Sequence, residues 1–551
     1  MNDETRDFTA LIRSYLEQSW KRQPVSATIS GVHEYDHEMP AVSRDALEGE
    51  EREDTSLLRA LEAQDESQLS DADRVDYQLL MGLVKSRLQQ RELRLWERAP
   101  YQYPELAGRS LHSLLERDYA PLSQRGAAMV SRLKAIPQLL EDGAGNLTPQ
   151  MPPLWVDIAQ ASCQGLEKFL VGAVPEVSRA VPQLDQELER ASQGALEAVG
   201  AFREKLHSLA DRARGDYGVG TDYFDRLLKE HYRLDLDSHE LLEYGEACIA
   251  ASLEKLEETA ARIDASRPWW EVMEMLKENH CPADELLDAY EEEVEACRRF
   301  VQEHDLVTIP PGETCHMAPT PVFLLSRYPM GHFSGVRPFE AANQGLWFMT
   351  PVDPDAPAAI QKQHLRDNNY HFMRAITLHE CYPGHHLQRF YQKLHPSDLR
   401  KVASDTMYTE GWGLYTEELM YEAGFLSDPR DRLVQLRNEL WRGVRIVIDT
   451  GLHCRGMGFD EATELLMDKV RFERLWAEGE IRRYTTSPTQ PSTYLVGRRL
   501  LLKLREDYRR QQGSNFTLRD FHDRLLSLGA VPIAIARQEL LGDTAFRASL
   551  D

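Results

Sequence analysis

The chain has 551 residues, of which 42% are hydrophobic and 28% charged, and a formal net charge of −26. That apolar content describes a folded protein rather than a disordered one. So acidic a chain argues against nucleic acid or an anionic membrane as a partner, because both require basic surface.

The length exceeds what one ordinary core fills, so roughly two or three structural units are expected, unless one large helical fold runs throughout. Seven cysteines, an odd count without any C-x-x-C, fit free thiols in a reducing compartment. The first residues carry no basic segment followed by an apolar one. No uninterrupted apolar run approaches the ~20 residues of a membrane span. A cytoplasmic location is the expectation.

Phe8, Leu11, Ile12, Tyr15 and Leu16 recur at helical spacing, which predicts an opening amphipathic helix ended by Pro24. Ser30 to Pro40 reads as a loop whose His33 and His37 lie at the surface. Residues 44–95 and 104–145 read as helices, Gly143 to Pro153 as a break. Residues 155–213 read as helix again, interrupted at Pro175 and Pro182. Asp237 and Glu240 have capping-box spacing at the start of the next helix. Leu287, Tyr290, Val294, Cys297 and Val301 mark one face of another, with a solvated acidic face opposite. Residues 1–303 hold no Gly-rich phosphate loop and no nucleophile elbow, and read as a helical scaffold region.

A Pro- and Gly-rich stretch from Val307 to Pro321 marks the boundary to residues 304–551, the metal-binding catalytic region with a helical C-terminus. Val322 to Leu325 and Gly345 to Thr350 are the strand candidates, the second also a candidate edge for aligning an extended peptide. Helical pattern resumes near Pro357. The last clear helix runs from Thr517 to Leu528, stopped by Gly529 and Pro532.

The chemistry concentrates in Thr377-Leu-His-Glu-Cys-Tyr-Pro-Gly-His-His-Leu-Gln388. A hydrolytic zinc site needs three protein ligands, one open position and a nearby carboxylate base. His379 and Glu380 supply the first ligand and the base. His385 comes six and His386 seven residues after His379. On an unbroken helix His386 would return to the face of His379 but lie about 10 Å up the axis, too far for ligands at ~2 Å from one ion. Pro383 and Gly384 break that ladder. A bulge there brings His385 to the second ligand position, with His386 in reserve. The third ligand is expected on a following helix, and Glu410 lies at that distance. Glu417, two turns further on, shares its face and can hold a ligand histidine by hydrogen bond, a role for which Glu418 competes. Gly411 and Gly413 flank Trp412 and permit a close helix approach. Cys381 reads as a small core residue.

These motifs, His379-Glu-Cys-Tyr-Pro-Gly-His385 and Glu410-Gly-Trp-Gly-Leu-Tyr-Thr-Glu417, resemble those of the bacterial family called domain of unknown function 885. The likeness continues through Arg445 to His453, Tyr484 to Gly497 and Phe521 to Pro532, and includes Ala27 to Gly31 near the start. It implies a relation to gluzincin-type zinc metallopeptidases. The implied fold is mainly α, a large two-lobed helical metallopeptidase-like fold with a small β element before the zinc-binding helix. The implied ligands are His379, His385 and Glu410, with Glu380 as base. Thr489-Gln-Pro491 departs from the pattern, which more often has Gly before Gln and Ala after it. Tyr494 and Tyr484 lie in a stretch that matches the family and are the candidate oxyanion donors. Arg445, Asp449 and His453 form one helical stripe, either salt-bridged for structure or supporting the site, with Arg445 able to hold a substrate carboxylate.

The expectation is a zinc-dependent metallopeptidase that hydrolyses peptide bonds of short peptides through a Glu-assisted zinc-bound water. The alternatives are a metal-dependent hydrolase of non-peptide amides and a catalytically silent helical scaffold.

Overall fold

The computed structural model describes residues 3–320, 331–543 and 547–550. It is mainly helical, with one small sheet among the described residues. The strand expected at Val322 to Leu325 lies outside them.

Helix α1 (Asp3–Arg22) buries Phe8, Ile12, Tyr15 and Leu16. Pro24 does not merely end it. It opens the next short helix, Pro24–Ser30, at a position where a missing N–H is no loss. His33 is not a surface loop residue: its ring stacks on Tyr119 at 3.6 Å and its nitrogens lie 3.2 Å from Asp36 and 3.4 Å from Glu340. His37 is exposed.

Three long helices, α2 (Leu122–Asn146), α3 (Pro153–Ala180) and α4 (Asp185–Ala210), stack on one another. They share a core that includes Trp155, Phe169 and Phe202. Pro175 does not interrupt α3. It sits on the solvent side, where the carbonyl freed by its missing N–H can be hydrated.

Helix α5 (Ser238–Asp264) starts with the expected capping box of Asp237 and Glu240, an arrangement contributing about 1 kcal/mol. Helix α6 (Leu286–Glu303) buries Tyr290, Val294, Cys297 and Val301, with Leu286 rather than Leu287 innermost. Strands β1 (Thr314–Pro319), β2 (Gly331–Ser334) and β3 (Gln344–Met349) follow. The order is β1-β3-β2, with β3 parallel to β1 and antiparallel to β2. β3 is therefore the central strand, both edges are paired, and it offers no free edge to a peptide. Arg117 ties this sheet to the preceding helices by donating to the carbonyls of Ser334, Gly335 and Gln344.

Eight helices complete the chain: α7 (Tyr370–Glu380), α8 (His385–Leu394), α9 (Thr406–Glu422), α10 (Pro429–Cys454), α11 (Arg474–Thr485), α12 (Thr493–Gln512), α13 (Leu518–Ser527) and α14 (Ile533–Leu541). Further helices, among them Asp398–Val402 and Phe459–Val470, lie between them. α13 is not the last helix. Gly529 ends it in a left-handed conformation, and Pro532 then starts α14 instead of stopping the pattern. α10 is buried along most of its length and packs against α5. The main core gathers residues from Phe8 to Ala548, so it runs across the composition step at residue 303. All seven cysteines are free. No described helix is long and apolar enough to cross a membrane.

Candidate metal centre

The helix carrying the His-Glu pair is cut rather than bulged. α7 ends at Glu380 and α8 begins at His385, with Cys381, Tyr382, Pro383 and Gly384 between them. Pro383 cannot donate to the preceding turn. A side chain at Gly384 would collide with the carbonyl of His379, to which an added Cβ would come within 1.8 Å. The buried Trp412 of α9 fixes the turn by donating its indole N–H to the carbonyl of Pro383 at 2.9 Å. The new helix direction returns His385 to His379, with ring centres 4.8 Å apart and nearly perpendicular.

α9 brings Glu410 to the same place. Its N-cap is Asp405, which accepts the Tyr408 N–H at 2.7 Å. A Cβ on Gly413 would come within 2.6 Å of the His379 ring, and one on Gly411 within 2.6 Å of Gly497 on α12. One glycine thus admits the His379 ring and the other admits the neighbouring helix.

One nitrogen each of His379 and His385 and one oxygen of Glu410 lie within 4.8 Å of one another. His379 Nδ1 is 2.9 Å from Glu417 Oε1, and His385 Nδ1 is 3.3 Å from Gln388 Oε1. Both rings therefore commit Nδ1 to an outer acceptor and leave Nε2 for the shared space, the usual arrangement behind a metal-ligating histidine. His385 Nε2 stands 3.6 Å from Glu410 Oε2. Burial pushes the Glu410 carboxyl up, but the hydrogen bond and charge of His385 outweigh it and hold the group at about 2. Burial pushes His385 down, and Glu410 more than reverses that. Two imidazoles and an ionised carboxylate form a donor set that fits zinc.

The group opens into a cavity of about 870 Å³ that Glu380, Arg445 and Tyr494 also border. Glu380 makes no hydrogen bond or ion pair with any described residue, so its carboxylate is unengaged. Tyr494 is held with the Arg445 guanidinium over its ring at 4.6 Å.

Other expected residues are placed elsewhere. His386 points away from the group, 2.6 Å from the buried Glu313, which also accepts the Tyr382 hydroxyl. Tyr484 does not border the cavity. It is fully buried, accepts from Arg445 Nε at 2.6 Å and donates to Glu480 at 2.5 Å, so it braces Arg445. Glu418 pairs with Arg432. The helical stripe is not salt-bridged end to end. Arg445 pairs with Glu480 at 3.1 Å, Asp449 accepts the Thr489 N–H and the Ser492 hydroxyl, and His453 meets the Tyr484 carbonyl. Thr489, where the family pattern more often has glycine, is left-handed at φ 69°, with Asp449 accepting its N–H.

The sequence reading missed Arg389, Arg437, Asn438, Trp441 and Arg442, all of which border the cavity. A signal was present: Arg437, Trp441 and Arg445 recur at i, i+4 and i+8 on one face of α10.

A family model described as "Bacterial protein of unknown function (DUF885)" matches residues 24–540. None of the curated proteins compared with the chain matches it. Two solved structures are similar. A candidate lipoprotein of unknown function from Shewanella oneidensis has 21% identity and a TM-score of 0.79, over 96% of this chain and 99% of that one. A candidate lipoprotein from Colwellia psychrerythraea has 19% identity and a TM-score of 0.85, over 97% and 98%. At these identities the likeness is one of fold.

Proposed function

The chain belongs to this DUF885 family, and we propose that it is a zinc-dependent hydrolase of peptide bonds in short peptides. The observation that carries the reading is the convergence of His379, His385 and Glu410 at a cavity that the unengaged Glu380 also borders. These three residues would hold the ion. Zinc bound there supplies Lewis-acid chemistry, polarising a carbonyl and acidifying water.

The remaining roles belong to the chain. Glu417 keeps His379 in the tautomer that presents Nε2. Glu380 takes the proton of the attacking water and passes it to the leaving amine, a transfer worth on the order of 10²- to 10⁴-fold in rate. Tyr494 places a phenolic hydroxyl on the cavity wall that can donate to the developing oxyanion. Tyr484 keeps Arg445 in place.

Zinc content by elemental mass spectrometry, together with cleavage of a broad library of short peptides by wild type and Glu380→Gln, tests this reading. Stoichiometric zinc with cleavage lost in the variant is expected. Stoichiometric zinc in a wild type that cleaves no peptide overturns the peptidase assignment.

A further inference from the structure

The cavity wall carries guanidinium groups that the protein itself does not satisfy. Arg132 shows how this chain treats a structural guanidinium. It is fully buried and donates to Ser110 O at 2.6 Å, Thr28 Oγ1 at 2.7 Å, Ser113 Oγ at 3.1 Å and Glu38 O at 3.1 Å.

α10 is built differently. Arg442 is 6% exposed, gives Nη1 to the Asn438 carbonyl of its own helix and leaves Nε without a partner. Arg445 is 3% exposed, uses Nε on Tyr484 and Nη2 on Glu480, and leaves Nη1 without one. Arg437 lies over the Phe472 ring at 4.5 Å and has no carboxylate at ion-pair distance among the described residues. Arg389, one turn beyond His385, reaches only Gln392 among the described residues. All four border the cavity.

The acids that act on Arg389, Arg437 and Arg442 lie beyond ion-pair distance and are engaged elsewhere: Glu410 with His385, Asp367 with Gln363, and Glu417 with His379. Burial, with the charge of Arg442 added, pushes Arg437 down to about 10. A chain with 90 acidic against 64 basic residues has no shortage of carboxylates to pair them. Burying a charge without a partner is costly, so unpaired guanidinium groups on a cavity wall mark a place where a ligand can supply the partner.

We infer that the cavity is shaped for acidic short peptides, with a substrate carboxylate seated against Arg437 and Arg442 while the scissile amide lies beside Glu380. The inference rests on the peptidase reading above. Arg445 and Arg437 are separated by about 12 Å of helix axis at ~1.5 Å per residue, the span of roughly three or four extended peptide residues. Planar guanidinium forks match carboxylates in two-point hydrogen bonds. The carboxylate comes either from the free C-terminus or from an Asp or Glu side chain.

Matched tetrapeptides separate these sources: one pair has a free acid or an amide at the C-terminus, the other a Glu or a Gln side chain. With zinc-loaded wild type, kcat/KM for the acid of one pair is expected to exceed that of its neutral partner on the order of 100-fold. Arg442→Gln and Arg437→Gln are each expected to cut that preference about tenfold or more, mainly through KM. Arg437 is half-buried, so its variant serves should Arg442→Gln fail to fold. Cleavage of acidic and neutral peptides with equal efficiency overturns the inference and leaves the peptidase reading standing.

Calorimetric binding of the same peptides to Glu380→Gln separates the two claims. Acid-selective binding without any cleavage by wild type supports the carboxylate site and overturns the peptidase reading. Neither binding nor cleavage of any of the four peptides overturns both.

Discussion

Two groups of histidine and carboxylate each place their acid, Glu410 or Glu116, on the cavity wall and differ in what surrounds that acid. His379, His385 and Glu410 form one, and His112, Glu116 and His332 the other. In the second, Glu116 has both oxygens engaged: one lies 3.3 Å from His332 Nε2, and the other accepts from Arg337 at 2.9 Å. Burial pushes the Glu116 carboxyl up, and His332, His112 and Arg337 together bring it well below its ordinary range. A divalent cation placed there would face a guanidinium already neutralising the acid. Among the described residues Glu410 has no arginine at ion-pair distance, and its partners there are the two histidines. The outer nitrogens of those histidines are already occupied. Similar residue types therefore make an internal ion-pair cluster in one place and a donor set open to a cation in the other. The deciding feature is the arginine.

Glu380→Gln should break the comparison hardest, lowering kcat for peptide cleavage on the order of 10²- to 10⁴-fold with zinc content unchanged. His385→Ala should lower zinc content to background, measured by the same mass spectrometry, because a hydrolytic site needs three protein donors and only two would remain. A His385→Ala protein that keeps full zinc would move the metal elsewhere. Glu417→Gln leaves an acceptor beside His379 but removes the charge, and should weaken zinc affinity about 10- to 100-fold in a chelator competition. Glu116→Gln is the control on the other cluster. It should leave zinc content untouched and cost about 1 to 3 kcal/mol of stability in denaturant unfolding, since Arg337 loses one of the two carboxylates that pair with it and keeps Glu340 at 3.0 Å. Loss of zinc in that variant would erase the distinction drawn here.

The contrast also shows what a single sequence makes legible. The helical class, the capping box at Asp237 and strand β3 follow from short-range patterns that the fold respects. The convergence of His379, His385 and Glu410 was reachable because local breakers set it: Pro383 and Gly384 end one helix, and Gly413 lets another approach. Its form was not. The chain cuts the helix outright, a choice fixed by Trp412 from another element. β3 could not be placed as central from its own residues, since strand order depends on partners. Tyr484 and Tyr494 sit in one stretch of sequence, yet only the second borders the cavity, because Tyr484 faces Arg445 and Glu480. Arg389, Arg437 and Arg442 were not legible because a basic residue on a helix is ordinarily solvated. Their meaning comes from absent partners, which only the packed structure exposes.

The smallest expected effect concerns the support behind the site rather than the site. Asp449 is fully buried beneath the loop that carries Thr489 and Ser492, and burial raises its carboxyl from the ordinary 3.8 to about 7 against the pull of those hydrogen bonds. Between those values the folded protein holds a proton that the unfolded chain releases, so this group makes stability fall as pH rises through the window. Asp405, the N-cap of α9, is raised to about 7 by burial in the same way and adds a slope of the same sign. Asp449→Asn keeps an oxygen for the Thr489 N–H and has no proton to lose. Its stability relative to wild type should therefore improve steadily from pH 4 to pH 7, read as the difference between urea midpoints at matched pH. A constant difference across that range would mean that Asp449 is ionised in the folded protein, with its charge offset by the Thr489 and Ser492 donors. A scan of Glu116→Gln carried below pH 4.5, the ordinary value of that carboxyl, should show the opposite trend. Glu116 is held below its ordinary range, so wild type loses that group's contribution as the pH falls toward its folded value, and the variant's deficit shrinks with it.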